Sequence, residues 1–289
     1  MLHFIYNPTA GRGRCERARR ALEPLLDGAG REHRFHPTSA RGDARRIAGD
    51  LTAQGEHDIV AMGGDGTIHE VLNGCANPAR LRLGIIPCGS GNDFAAAIGL
   101  PSKPEEALRL ILDGAAKPTD YLDCAGVRCI NVLGAGIDVE ILRLSYRARF
   151  LKGSLNYYVS LLRALLRFHN IGMDIALNGR SSSHDGFLVC ACNGRRIGGG
   201  IEICPDAVPD DGLMDVVLVN GLPRSRYPGA LIRLKQRKIL AQDYTLHERT
   251  DRLEARFGQP TTIQIDGELY DDLPFDVRVI KGGISIYRP

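Results

Sequence analysis

The sequence predicts two domains, an α/β domain over residues 1–119 and a strand-rich, β-sandwich-like domain over residues 120–289. Three observations support this prediction. Strand-length apolar runs alternate with helix-length segments in the first part, and short strands separated by turn residues dominate the second. A glycine-rich turn also joins a buried strand to a helix, as in α/β proteins with helices on both faces of a sheet.

The first domain is predicted from its apolar periodicity and its turn residues. Strands are predicted over residues 2–6, 33–36, 58–62 and 83–87, and helices over 15–26, 44–54, behind the glycine-rich turn, and over 104–113. The last helix begins at a proline and ends before Gly114, which are common helix boundaries. Ligands of open α/β sheets collect at the carboxyl ends of strands, so we expect the loops there to converge on one crevice.

The second domain reads as short strands broken by glycine, asparagine and aspartate turns. Strands are predicted over residues 119–124, 127–133, 173–177, 186–192, 214–219, 261–265 and 276–280, and a final strand over 283–287 that can return toward the first domain. Two helical segments without acidic residues, 141–173 and 216–242, interrupt these strands.

The glycine-rich turn contains Gly63-Gly64-Asp65-Gly66-Thr67. Glycine lets a backbone approach a phosphate closely, and the first amides of a helix offer unpaired donors to an anion. A carboxylate beside phosphates is repulsive unless a divalent metal or a transferring proton lies between them. Asp65 therefore indicates phosphoryl transfer rather than passive binding. The alternative interpretation is that Asp65 merely caps a helix.

Further motifs extend this pattern over the chain. They are Asn7-Pro8-Thr9-Ala10-Gly11, Pro87-Cys88-Gly89-Ser90-Gly91-Asn92-Asp93-Phe94, Gly198-Gly199-Gly200, the stretch 205–215 and Gln264-Ile265-Asp266-Gly267-Glu268. In order and spacing they resemble the diacylglycerol kinase catalytic-domain family, in its bacterial lipid kinase branch. The resemblance covers essentially the whole chain. It implies a nucleotide-binding domain of the NAD kinase and diacylglycerol kinase type followed by a β-sandwich-like domain.

The resemblance also implies which residues line an ATP site. These are Asn7, Pro8, Thr9, Ala10, Gly11, Thr38, Gly64, Asp65, Gly66, Thr67, Ile68, His69, Glu70 and Ser90. Two of them depart from the usual family pattern, which often has serine in place of Ala10 and threonine in place of Ser90. Without the resemblance, Thr38 would be interpreted as an ordinary turn residue.

A second carboxylate, Glu268, lies in Asp266-Gly267-Glu268. By itself this run is a strong signal for a hairpin turn. The resemblance implies that Glu268 accepts the proton of a lipid hydroxyl as that oxygen attacks the γ-phosphoryl group, with Mg²⁺ neutralising charge. Asp65 would position the metal or the nucleophile, and which of the two carboxylates is the base stays open.

The stretch Asp210-Asp211-Gly212-Leu213 can be a solvated acidic loop. The resemblance implies instead a structural Mg²⁺ site formed by the Asp211 carboxylate, the backbone carbonyls of Val208 and Leu213, and waters. Hard cations prefer such oxygen ligands.

Composition and excluded motifs restrict the remaining possibilities. The net charge of +3 is too small to indicate nucleic acid as a partner, and the N-terminus lacks a secretory signal, so we expect a cytoplasmic protein. Eight cysteines form no Cys-x-x-Cys pair, which favours reduced structural thiols over a zinc site. A lysine-containing phosphate loop and a complete dinucleotide-binding motif are both absent from the sequence.

The uneven distribution of charge suggests a membrane as a partner. The two basic segments contain Arg143, Arg147, Arg149, Lys152, Arg163 and Arg167, then Arg224, Arg226, Arg233, Lys235, Arg237 and Lys238. Beside them, Leu155, Tyr158, Val159, Leu162, Leu165 and Leu166 recur at helical spacing, a pattern that suits core packing as well. Basic residues attract anionic headgroups, so we expect weak, reversible, peripheral docking. The resemblance also makes a homodimer possible.

The predicted function is an ATP- and Mg²⁺-dependent lipid kinase, with diacylglycerol as the favoured acceptor and phosphatidic acid as the product. Sphingoid bases, ceramides, phosphatidylglycerol and other lipid alcohols stay open as acceptors. Two alternatives are a soluble kinase that phosphorylates NAD and a nucleotide-binding regulator that has lost catalysis. The carboxylates Asp65, Asp211 and Glu268 argue against the regulator, because a mere binder gains nothing from acids that face phosphates.

Overall fold

A computed structural model describes the backbone of residues 1–147 and 154–289, and the side chains of residues 1–146 and 159–289. The chain divides into two compact units. The first contains Met1–Asp120 and Lys281–Pro289, and the second contains Tyr121–Ile280. Arg149 and Lys152 of the first basic segment lie outside the described residues, as do the side chains of Arg147, Leu155 and Tyr158.

Strands and helices alternate in the first unit. In chain order they are β1 (Leu2–Tyr6), α1 (Ala10–Gly28), β2 (His33–Pro37), α2 (Asp43–Ala53), β3 (Asp58–Gly63), α3 (Asp65–Gly74), β4 (Arg82–Pro87), α4 (Asp93–Ala97), α5 (Pro104–Asp113) and the beginning of β5 (Ala116–Cys124).

Strands dominate the described part of the second unit, with three α-helices between them. After β5 its strands and helices are, in chain order, β6 (Val127–Cys129), β7 (Val132–Gly136), α6 (Ile137–Arg147), α7 (Ser154–Arg167), β8 (Ile171–Leu177), β9 (Arg180–Cys192), β10 (Arg196–Ile197), β11 (Ile201–Glu202), β12 (Met214–Asn220), α8 (Tyr227–Lys235), β13 (Thr245–Thr250), β14 (Arg252–Phe257), β15 (Ile263–Ile265), β16 (Glu268–Tyr270) and β17 (Phe275–Tyr287).

The sheet of the first unit is parallel, in the order β17-β4-β3-β1-β2. Its last strand is the end of the chain, where Ser285 pairs with Arg82 of β4. Strand β1 is buried along its whole length, and α5 packs Ala107, Leu108 and Ile111 into the core. Because all strands are parallel, the loops that follow β1, β2, β3 and β4 lie at the same edge of the sheet.

The sheet of the second unit is antiparallel, in the order β16-β15-β7-β9-β8-β14-β17, and β12 pairs with both β9 and β13. Two apolar clusters fill this unit. One includes Leu122, Met173 and Leu253, and the other includes Leu165 of α7 and Val217 of β12. Within the residues that the structure describes, no helix is long and apolar enough to span a bilayer.

Most predicted elements are present, and the main differences can be traced to particular residues. The strand predicted over residues 127–133 is interrupted, because the N–H groups of Ile130 and Asn131 donate to the Asp266 carboxylate instead of to a neighbouring strand. The two strands predicted near the C-terminus are one continuous strand, β17. Strand β13 was missed because three consecutive polar or charged residues, 247–249, break its apolar alternation. Strand β14 was missed because charged residues occupy its alternate positions.

Candidate functional site

The loop after β1 is a compact turn that depends on glycine. The Asn7 side chain accepts hydrogen bonds from the Thr9 N–H (3.0 Å) and hydroxyl (2.8 Å). Three successive residues from Gly11 to Gly13 have positive φ, at 57°, 60° and 78°. A Cβ at Gly11 would also overlap the carbonyl oxygen of Cys88, so glycine is required there both by conformation and by space.

The loops after β3 and β4 are locked together through their backbones. The Gly63 carbonyl accepts the N–H groups of Cys88 (2.7 Å) and Gly89 (2.9 Å). A Cβ on Gly89 would overlap the Cα of Gly64, and a Cβ on Gly63 would overlap the Thr67 hydroxyl. These close approaches explain why the run around Asp65 is rich in glycine, and they bring the two loops to one place as the sequence predicts.

Asp65 begins α3 and reaches the next loop with its side chain. Its two carboxylate oxygens accept hydrogen bonds from the N–H groups of Asp93 (3.2 Å) and Phe94 (3.1 Å), which open α4. A carboxylate is stabilised at this end of a helix by unpaired amides and by the helix dipole. The capping interpretation of Asp65 is therefore correct in part, although the capped helix is α4 and not its own.

The remaining predicted ATP-site residues lie on the same edge of the parallel sheet. Thr38 donates its N–H to the Tyr6 carbonyl (2.9 Å), and the Glu70 carboxylate accepts the N–H groups of Gly42 (2.9 Å) and Ala44 (3.1 Å). Glu70 thus holds the start of α2. Half-buried or exposed positions are Asn7, Pro8, Thr9, Ala10, Gly11, Thr38, Gly64, Asp65, Gly66, Thr67, Glu70 and Ser90.

The side chains of Ile68 and His69 are buried, with 1% and 3% of their surface exposed. Both side chains lie on the buried face of α3, and the Asn73 side-chain amide donates to the His69 carbonyl (2.9 Å). The Ile68 N–H also donates within the helix start, to the Gly64 carbonyl (3.3 Å), and neither buried side chain lines the open edge of the sheet.

In the second unit, Asp266, Gly267 and Glu268 form the hairpin turn between β15 and β16. Asp266 and Gly267 both have positive φ, at 52° and 88°. The Asp266 carboxylate accepts the N–H groups of Ile130 (3.0 Å) and Asn131 (2.9 Å), so its role here is structural. Glu268 opens β16 opposite Ile265 and is half-buried. Of the two acids in the turn, Glu268 is the better candidate for proton transfer.

A buried carboxyl group that the sequence analysis missed lies at the start of α6. Asp138 is 4% exposed, one of its oxygens accepts the Val139 N–H (2.9 Å), and the other has no hydrogen-bond partner. Burial raises the pKa of Asp138 to about 7, and the hydrogen bond from the Val139 N–H opposes that rise. An acid within the apolar run Val132 to Ile141 is the signal that could have identified it.

Asp138 also lines an apolar cavity of about 90 Å³ within the second unit. The cavity lies between α6, α7, β9 and α8. Its wall includes Ile141, Leu165, Phe187 and Leu231. A cavity of this size, with an apolar wall and one carboxyl group, can hold a short stretch of hydrocarbon and one polar group.

We predict that Asp138→Asn stabilises the protein increasingly as the pH rises from about 4 to 7. An unfolded aspartate has a pKa of about 3.9, so in this interval the folded protein retains a proton that the unfolded chain releases. Wild-type stability therefore falls with rising pH, by at most about 4 kcal/mol for a shift of about three units. Denaturant unfolding at several pH values measures this difference. Asp206→Asn, at an exposed carboxylate, is the control. Parallel profiles for Asp138→Asn and wild type would contradict the prediction.

The predicted Mg²⁺ ligands lie in the loop before β12. Asp211 accepts the Leu213 N–H (3.0 Å) with one carboxylate oxygen and forms an ion pair with Arg249 through the other. Val208 is exposed and Leu213 is half-buried. The carboxylate is thus held at the loop, and a cation there would have to share it with Arg249.

Comparisons with known proteins match this arrangement along the chain. The family model described as "Diacylglycerol kinase catalytic domain" matches residues 1–124, and the model described as "YegS C-terminal NAD kinase beta sandwich-like domain" matches residues 131–288. The predicted fold class, an α/β domain followed by a β-sandwich-like domain, is confirmed.

Individual relatives indicate the same family. The chain is 33% identical over 262 residues to a "Probable lipid kinase YegS-like" of Xanthomonas oryzae pv. oryzae (strain MAFF 311018), covering 86% of this chain and 84% of that one. It is 27% identical to a diacylglycerol kinase of Bacillus subtilis (strain 168), covering 99% and 95%. A crystal structure of a diacylglycerol kinase from Bacillus anthracis str. Sterne shares the fold at 22% identity, with a TM-score of 0.75 over 100% of this chain and 96% of that one. The chain therefore belongs to the diacylglycerol kinase catalytic-domain family of lipid kinases, in the group whose second domain is of the YegS C-terminal, NAD kinase beta sandwich-like type.

Proposed function

We propose that this protein transfers the γ-phosphoryl group of ATP to the hydroxyl group of a lipid alcohol, with diacylglycerol as the favoured acceptor and phosphatidic acid as the product. The observation that carries this proposal is the apolar cavity of the second unit with Asp138 in its wall. Each buried methylene of an acyl chain contributes about 0.8 kcal/mol to binding, whereas a soluble dinucleotide gains little from such a wall. The cavity thus favours a lipid over NAD as the acceptor.

The nucleotide is proposed to bind at the carboxyl edge of the parallel sheet. There the loops after β1, β3 and β4 meet, and a Cβ at Gly11 or at Gly89 would overlap the backbone of a neighbouring loop. Backbone approach of this kind, together with the open N-terminus of α3, suits the phosphates of ATP. Arg14, whose guanidinium donates to the Gly89 carbonyl (2.5 Å), adds a positive charge beside the loop.

Mg²⁺ is proposed at oxygen ligands in each unit. In the first unit Asp65 would position the metal ion or the nucleophile, and the bound metal ion neutralises charge on the phosphates. In the second unit the Asp211 carboxylate with the carbonyls of Val208 and Leu213 is the oxygen set that a hard cation prefers. Glu268 is proposed as the base that takes the proton of the lipid hydroxyl, with Asp65 as the alternative.

The protein is further proposed to dock on anionic membranes in a cytoplasmic setting and to form homodimers. The described part of the two basic segments supports docking. On α7 Leu162 and Leu166 are 55% and 70% exposed, next to Arg163, and on α8 Ile232 is 55% exposed, next to Arg233. Exposed apolar side chains beside cations suit the interface of an anionic bilayer.

The test is an assay of labelled γ-phosphate transfer from Mg-ATP to a panel of lipid alcohols in mixed micelles, with NAD as a soluble acceptor. We expect labelled phosphatidic acid. Ala230→Phe, which places a ring in the cavity wall on α8, should lower kcat/KM for long-chain diacylglycerol at least tenfold and leave the KM for ATP unchanged. Ala241→Phe, at an exposed position after α8, is the matched control.

The other outcomes each reject part of the proposal. Labelled NAD with no labelled lipid would identify a soluble NAD kinase, and binding of ATP without any transfer would favour the regulator. Equal loss of activity in Ala230→Phe and Ala241→Phe would show that the cavity does not bind the lipid acceptor. Label in another lipid alcohol would retain the lipid kinase and replace diacylglycerol as its acceptor.

A further inference from the structure

A second group of ligand-type side chains lies in the second unit and includes neither Asp138 nor Glu268. Cys204, Asp215 and His247 place one potential ligand atom each within 4.8 Å of one another. His247 Nε2 lies 2.7 Å from an Asp215 carboxylate oxygen and 3.9 Å from Cys204 Sγ.

The antiparallel sheet fixes this arrangement. Asp215 of β12 pairs directly with Cys192 of β9 on one side and with Arg249 of β13 on the other. His247 lies two residues before Arg249, so it is the diagonal neighbour of Asp215 on the same face of the sheet. Strand pairing therefore presets Asp215 and His247, and Cys204 reaches them from the segment after β11.

The geometry does not suit nucleophilic catalysis by the cysteine. In a cysteine–histidine–acid triad the thiol and the carboxylate contact different ring nitrogens, so that the ring can relay a proton. Here the contacts of Cys204 and Asp215 both involve His247 Nε2. Cys204 is also fully buried, so no substrate reaches its sulfur.

The donor set suits a transition-metal cation instead. Sulfur, imidazole nitrogen and carboxylate oxygen bind Zn²⁺ at about 2.0–2.3 Å in a tetrahedron, which separates ligand atoms by roughly 3.4–3.6 Å. The observed separations of 2.7 and 3.9 Å lie on either side of that range, so small side-chain movements would complete the site. One thiolate and one carboxylate would neutralise a divalent ion, which matters because Cys204 and Asp215 are buried.

We propose that Cys204, Asp215 and His247 bind a Zn²⁺-type transition-metal cation. His247 gives access, since 27% of its side chain is exposed. This site differs in chemistry from the proposed Mg²⁺ site at Asp211, whose ligands are oxygen atoms only. Arg249 lies between the two, paired with Asp211 and 3.9 Å from Asp215.

Titration of the metal-stripped full chain with Co²⁺, without ATP or lipid, tests the proposal. We expect one equivalent to bind with a thiolate-to-cobalt charge-transfer band, and Zn²⁺ but not Mg²⁺ to displace it. Cys204→Ala and His247→Gln should weaken binding at least tenfold, and Cys204→Ala should also reduce the band. Cys124→Ala, at a buried thiol in the other apolar cluster, and His184→Gln are the matched controls and should bind as wild type does.

A second measurement, the change of Tm with Zn²⁺, distinguishes loss of metal binding from misfolding of a variant. Zn²⁺ should raise the Tm of wild type, because a ligand bound only by the folded state stabilises it, and should leave the Tm of His247→Gln unchanged. His247 is half-exposed, so this variant is the one expected to fold normally. Absence of the thiolate band in wild type, or the same band and affinity in Cys204→Ala, would overturn the proposal. Neither result depends on kinase activity.

Discussion

Replacement of Asp65 by alanine is expected to lower kcat for phosphoryl transfer by about 10²- to 10⁴-fold, the range found for groups that act on protons or charge in the transition state. The structure adds a second effect. Loss of the carboxylate also removes the acceptor of the Asp93 and Phe94 N–H groups, which should cost about 1 kcal/mol of stability, as for a helix cap.

Asp65→Asn separates the two effects. Asparagine keeps one acceptor oxygen for the start of α4 but carries no charge for a metal ion or a proton. We therefore expect most of the stability to return while kcat stays low, as measured by denaturant unfolding and by the labelled-phosphate assay.

Asn77→Ala is the matched control for capping, because Asn77 accepts the Ala79 N–H (3.2 Å) at a short helical turn between α3 and β4, outside the phosphate loops. It should lose stability and retain activity. If Asp65→Asn keeps at least half of the wild-type kcat, Asp65 is a cap and not a catalytic residue.

Replacement of Glu268 by glutamine is expected to have the second large effect. We expect kcat to fall by about 10²- to 10⁴-fold with little change in stability. Glutamine has the same shape but cannot accept the hydroxyl proton. The neighbouring acid behaves differently. Asp266→Asn should lower stability, because the Asp266 carboxylate holds the N–H groups of Ile130 and Asn131.

The measurement for this second prediction is single-turnover phosphoryl transfer at saturating ATP and lipid, together with thermal unfolding. Glu254→Gln, on strand β14, is the control and should leave both quantities unchanged. A Glu268→Gln variant with wild-type turnover would assign the base to Asp65, the alternative that the sequence left open.

Local patterns predicted much of the first unit. Apolar strands and amphipathic helices are encoded in neighbouring residues, so β1, β3, β4 and α5 are close to their predicted ranges. The glycine-rich turn around Asp65 was recognisable for the same reason. The split between β6 and β7 was not, because the carboxylate that interrupts the strand comes from Asp266, more than 130 residues later.

The sequence by itself determined the alternation of strands and helices in the first unit, the phosphate-type loops and the family, since each depends on residues close together in the chain. The tertiary structure alone decided which groups share a site. Asp65 caps α4, Asp138 faces an apolar cavity, and Cys204 meets His247 across the sheet. These arrangements follow from strand pairing and packing between distant segments, which place side chains in contact without a local pattern that spacing could reveal.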